Sequence, residues 1–190
     1  MYLKISYLPP RRLFLLLYKM LKYVDTDVTF QEVPGETTLC INISNCPCHC
    51  KGCHSPHLAE DIGKPLNEAS LQSLLILNKG VTCVCFMGGD SSPKDINRLA
   101  WWVKHTSYQV KREELQLKVA WYSGRQELSD KINLNYFDFI KLGPYIQGAG
   151  GLNSVTTNQI FYEVVHPDNT LKVITYKFWI NEIESKNQKD

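Results

Sequence analysis

The stretch SNCPCHCKGCHSPH, residues 44–57, places four cysteines and three histidines within fourteen positions. No ordinary helix or strand has a use for such a run, and Pro47, Lys51 and Gly52 suit a tight loop. Cys46, Cys48, Cys50 and Cys53 lie too close together to staple separate elements as disulfides. The run therefore reads as a metal site in a reducing compartment, the cytoplasm.

The remainder of the chain limits what surrounds this loop. With 190 residues it can form one domain with its own core. Lys and Arg number 21 against 19 Asp and Glu, so no basic excess steers nucleic acid, and a small molecule or a protein is the expected partner. The apolar run at 13–18 follows Arg11 and Arg12 but falls short of the roughly 7–15 residues of an export signal and of the about 20 that span a membrane. Residues 1–19 are expected to be a poorly structured extension, with Met20 as an alternative start. Residues 20–183 form the expected domain and 184–190 a frayed polar tail.

Along that domain the apolar period changes repeatedly between two and helical spacing, the signature of strands and helices alternating over a parallel sheet. Residues 26–33 and 37–43 read as strands joined at Pro34-Gly35. Residues 66–78 read as a helix with Leu71, Leu74 and Leu75 on one face, and 81–87 as a strand covered on both sides. Ser92, Pro93 and Asp95 open a second helix through Leu99, Trp102 and Val103. Strands over 117–122 and 136–142 follow. Cys83 and Cys85 share a strand face and, with Cys40, read as small apolar packing residues; Trp101, Trp102 and Trp121 read as core or interface aromatics.

Each cysteine- or glycine-bearing cluster falls just past the C-terminal end of a predicted strand, the edge where βα barrels and open α/β sheets build their chemistry. A closed eightfold barrel takes about 250 residues. The expected fold is therefore an incomplete βα barrel of parallel strands, open on one side.

Within the loop, Cys46, Cys50 and Cys53 have C-x3-C-x2-C spacing. Three thiolates can hold three irons of a [4Fe-4S] cube and leave the fourth iron open to a ligand with an amine and a carboxylate. Structural zinc on the four cysteines, or with His49, His54 or His57 substituting, is the alternative, although four ligands within eight positions would be cramped. Spacing assigns no role to Cys48. Gly88-Gly89-Asp90 lets backbone approach a cofactor closely and offers a carboxylate to an ammonium; it also reads as a plain turn before the Ser92 cap.

Cys46-x3-Cys50-x2-Cys53-His54, Gly88-Gly89-Asp90, Tyr122-Ser123-Gly124, and Gly143-Pro144-Tyr145 with Thr157-Asn158-Gln159 together resemble the radical S-adenosylmethionine superfamily. Within it, they resemble the activating proteins of anaerobic ribonucleoside-triphosphate reductases. The resemblance implies that S-adenosylmethionine chelates the open iron of a [4Fe-4S] cluster held by Cys46, Cys50 and Cys53. One electron, from a reductant such as flavodoxin, then yields a 5'-deoxyadenosyl radical, which takes a hydrogen atom from a glycine of the large reductase subunit. It further implies cofactor contacts from Gly52, Cys53, His54, Gly88, Gly89 and Asp90, with Ser123 and Lys141 on the same edge. A lysine there equally serves as a solvated rim charge. Another glycyl-radical enzyme as partner, and a zinc-stabilised binding module, are the competing readings.

Overall fold

A computed structural model describes residues 20–106 and 116–179; the extension expected over 1–19 and the tail over 184–190 lie outside the described residues. The fold is mixed α/β. Eight strands form one sheet: β1 (Lys22–Thr29), β2 (Thr38–Ile43), β3 (Lys64–Pro65), β4 (Cys83–Met87), β5 (Lys118–Tyr122), β6 (Phe139–Leu142), β7 (Ile160–Val165) and β8 (Thr170–Val173). Their order across the sheet is β3-β1-β2-β4-β5-β6-β7-β8. The described helices are α1 (Glu68–Leu77) and α2 (Pro93–Thr106).

Only the middle of the sheet is parallel, through β2, β4, β5 and β6. The expectation of parallel strands throughout is corrected at both flanks, where β1, β3, β7 and β8 pair antiparallel. Connection length gives the reason for two of these pairs: the short links β1–β2 and β7–β8 leave no room for the crossover that a parallel pair needs. The first strand runs over 22–29 rather than 26–33, because the chain bends away from the sheet before Val33, which is buried. Strands β3, β7 and β8 were not anticipated. Between β5 and β6 the described connection carries a single 3-10 turn, Leu134–Tyr136, where regular alternation called for a helix.

The remaining elements form for local reasons visible in the sequence. Asn67 caps α1 by accepting from the Ser70 N–H (3.0 Å), while the Ser70 hydroxyl accepts from the Asn67 N–H (2.9 Å). Pro93 opens α2, where the Ser92 hydroxyl donates to the Asp95 carboxylate at 2.7 Å. Lys104 ties α2 to the start of β6 through Asp138 (2.6 Å).

Period-two alternation divides the core between the two faces of the sheet. Leu39, Ile41, Ile43, Val84, Phe86, Val119, Trp121 and Ile140 pack with Leu71, Leu75, Ile96, Leu99 and Val103 of the helices. Cys40, Cys83, Cys85, Ala120, Tyr122 and Phe139 occupy the other face with Phe161, Val33, Leu152 and Ile174. The shared face expected for Cys83 and Cys85 is present and Cys40 packs there with them, and Trp121 is core, whereas Trp101 is exposed and Trp102 only partly buried. No described helix is long and apolar enough to cross a membrane.

Candidate functional site

The floor of the site is a row of side chains in register across the four parallel strands. Asn42 pairs with Met87, Met87 with Tyr122, and Tyr122 with Lys141. Alternation puts all four on the face away from the helices, and all four line one cavity of about 420 Å³ at the C-terminal strand ends. The glycine clusters beyond each strand do not point to Asn42, Met87 and Tyr122 as lining residues. Their signal was available: each is the last residue of its strand to point away from the helices.

The cysteine loop forms one wall. It leaves β2 at Ser44, and the N–H groups of Asn45 and Cys46 donate to the carbonyls of Glu60 (2.8 Å) and Leu58 (2.9 Å), folding the loop back on itself. Cys46, Cys50 and Cys53 then border the same cavity as Gly88, Asp90, Ser123 and Lys141. The Ser55 N–H donates to Cys53 Sγ at 3.4 Å, an amide directed at sulfur. His49, in a left-handed backbone conformation (φ 44°), also lines the cavity.

Cys48 does not line that cavity. It borders a separate groove with Pro47, Arg125 and Pro144, and its Sγ is 3.8 Å from Asp90 Oδ2. Burial, the Asp90 charge and its cysteine neighbours push this thiol up to about 12, so it stays protonated and is the donor in that contact. Gly124 makes the contact possible, because a Cβ there would stand 2.6 Å from Cys48 Sγ. Cys48 thus fastens the cysteine loop to the end of β5.

Asp90, 3% exposed, is the hub of that attachment. Its carboxylate accepts from the Ser123 hydroxyl (2.6 Å), the Gly124 N–H (3.0 Å) and the Cys48 thiol, so it is engaged with the protein itself. Lys141, 7% exposed, donates to the carbonyls of Gly143 (2.6 Å) and Ser123 (3.3 Å). It is no solvated rim charge. Burial lowers its pKa to about 8, against the upward pull of Asp90, Cys50, Cys48 and Glu32.

A second cavity, about 540 Å³, adjoins the first through Cys53, Ser55, Tyr122 and Lys141. His54 lines this one, its ring 4.9 Å from that of Tyr145. Two distant motifs converge here, for Asn158 Nδ2 donates to the Pro144 carbonyl at 2.9 Å and Gln159 joins Tyr145 in the lining. Burial raises the Glu32 carboxyl pKa at the same wall, with Tyr122 and Lys141 drawing it back. Gln159 is 8% exposed and lines the wall, while the Asn158 side-chain amide oxygen is buried with no partner among the described residues. An unpaired buried amide costs about 1–3 kcal/mol.

Two expected contact residues line neither cavity. A Cβ on Gly89 (φ +85°) would collide with Ile96, so this glycine serves the packing of α2 against the strand end. Gly52 faces Gln147.

Among the described residues, no three His, Cys, Asp or Glu side chains come close enough together to hold one metal ion. A tetrahedral zinc would need such convergence, with sulfurs about 2.3 Å from one centre. In a cube each thiolate takes a different iron, so the donors are spread around a wall. Cys46, Cys50 and Cys53 border one cavity, and one backbone amide is directed at the Cys53 sulfur. No family model, no curated protein and no solved structure matches this chain.

Proposed function

We propose that this chain is a radical S-adenosylmethionine activase of the cytoplasm that generates a glycyl radical on an anaerobic ribonucleoside-triphosphate reductase. The supporting observation is that Cys46, Cys50 and Cys53 share one cavity with Gly88, Asp90, Ser123 and Lys141 at the C-terminal ends of parallel strands. The cluster and its chelated cofactor, when reduced by one electron, would supply the radical chemistry.

The residues of the chain bind, orient and exclude water. Cys46, Cys50 and Cys53 are the thiolate ligands. Gly88 brings backbone to the cavity wall, and its carbonyl, fixed by the Trp121 Nε1–H (2.7 Å), holds the strand end rigid. Asp90 acts by position, clamping Ser123, Gly124 and Cys48. Lys141 puts a cation beside the cavity for the cofactor carboxylate. In this reading the eight-stranded sheet is a barrel left open, because a glycine inside another polypeptide needs a wide entrance.

Anaerobic reconstitution with iron and sulfide should give a brown protein with about three to four irons per chain. Once reduced, it should cleave S-adenosylmethionine, and with the large reductase subunit it should give a glycyl signal in electron paramagnetic resonance. A colourless protein holding stoichiometric zinc would end the proposal.

A further inference from the structure

Three thiolates leave one corner of a cube without a protein ligand, and before the cofactor arrives the groups lining the cavity decide what can close it. Most of the polar groups there are committed elsewhere. The Asp90 carboxylate accepts from the Ser123 hydroxyl, the Gly124 N–H and the Cys48 thiol. Lys141 donates to the carbonyls of Gly143 and Ser123, and the Tyr122 hydroxyl donates to the carbonyl of Glu32. His54 lines the second cavity, its ring against Tyr145. Among the described residues that line the first cavity, His49 is the only histidine, and it stands with Cys46 and Cys50 in the same wall. Imidazole nitrogen suits iron and replaces thiolate in one class of iron–sulfur centre.

The backbone singles out the same residue. Three described residues other than glycine have positive φ: Asn45 (60°), His49 (44°) and Asn169 (54°). A short amide side chain settles in that region by bonding locally, whereas His49 carries a ring there. It lies between Cys48, whose thiol is held by Asp90, and Cys50 in the cavity wall. Sparsely populated backbone conformations persist where the surroundings impose them, and they gather at ligand sites.

We propose that His49 is a displaceable fourth ligand: its imidazole nitrogen closes the open corner of the cluster in the cofactor-free protein and gives way when S-adenosylmethionine binds. The inference rests on the activase reading for the cluster itself. In the exchange one histidine nitrogen leaves the iron, an amine nitrogen and a carboxylate oxygen enter, and no electron is transferred. The chelate prevails because its second donor arrives at high effective concentration, while exposed His49 offers a single donor.

The test uses the full chain made with nitrogen-15-labelled histidine, reconstituted anaerobically with iron and sulfide, reduced with dithionite and studied by pulsed electron paramagnetic resonance. The cofactor-free protein should show the strong coupling of a histidine nitrogen bound to the cluster, and adding S-adenosylmethionine should abolish it. His49→Ala should lose the coupling while keeping its iron, and His54→Ala and His57→Ala should retain it. No coupling in the wild type, coupling that survives the cofactor, coupling retained in His49→Ala, or its loss in His54→Ala or His57→Ala overturns the assignment. Should His49→Ala take up no iron, the wild-type response to cofactor and the other two variants decide. A brown cluster without histidine coupling overturns the fourth ligand and leaves the activase standing. Displaceable coupling without cleavage of S-adenosylmethionine does the reverse, and a colourless zinc protein overturns both.

Discussion

On β2 and β4, Cys40, Cys83 and Cys85 are at most 4% exposed and pack against Phe139, Phe161 and Tyr122; in the loop that leaves β2, Cys46, Cys48, Cys50 and Cys53 are half-buried. Cys40 and the loop are only a few residues apart, yet their thiols have different physics. Burial pushes the Cys83 and Cys85 thiols well above their usual range, which keeps them protonated and inert. Backbone context thus separates packing sulfur from the sulfur that borders the cavity. Cys48 shows that membership of the loop is not sufficient, because its contacts with Asp90 and Gly124 turn it away from the cavity of the other three.

The largest expected effect breaks the comparison at the loop. Cys46→Ala, Cys50→Ala and Cys53→Ala should each abolish iron retention after reconstitution, while Cys85→Ala and Cys48→Ser should keep it. Retention in any of the first three, or loss in Cys48→Ser, would place the ligands elsewhere. Next, alkylation of the cluster-free protein followed by mass spectrometry should modify Cys46, Cys50 and Cys53 first, Cys48 more slowly, and the three strand cysteines only when the chain unfolds. Modification of Cys83 ahead of Cys50 would contradict the burial pattern.

A smaller effect concerns the attachment of the loop to β5. Gly124→Ala drives a Cβ to 2.6 Å from Cys48 Sγ and should cost about 1–3 kcal/mol in denaturant unfolding. Adding Cys48→Ala should recover most of that loss, and the absence of recovery would show that the clash lies with another group.

The smallest effect is a pH dependence. Lys141 titrates at about 8 in the folded chain against its usual 10.5, so between those values the unfolded chain binds more protons and stability rises with pH. The raised thiols Cys48, Cys83 and Cys85 act oppositely at alkaline pH, because the unfolded chain loses their protons first. Comparing wild type with Lys141→Met isolates the lysine: the stability difference between them should shift in favour of wild type from pH 7.5 to 10. A constant difference would mean that Lys141 is not buried as described.

The alternation of Leu39, Ile41 and Ile43 with Cys40, the Asn67 and Pro93 helix starts, and the loop imposed by Pro47 and Gly52 were legible because each depends on neighbours within a few residues. The antiparallel flanks were not. β8 has only four residues, and the pairing of β7 depends on where β6 lies rather than on its own period. The same holds for the bend that buries Val33.

Sequence alone determined which groups were available: four loop thiols, the glycine clusters after the strands, and the last residue of each parallel strand on the face away from the helices. Tertiary structure decided their partners. Cys48 met Asp90, Lys141 became a desolvated cation, Gly89 went to helix packing, and Gln159 was carried to the wall beside Cys53. The physical reason is that covalent neighbours set backbone conformation over a few residues, whereas burial and electrostatic environment are set by elements that join only when the sheet assembles.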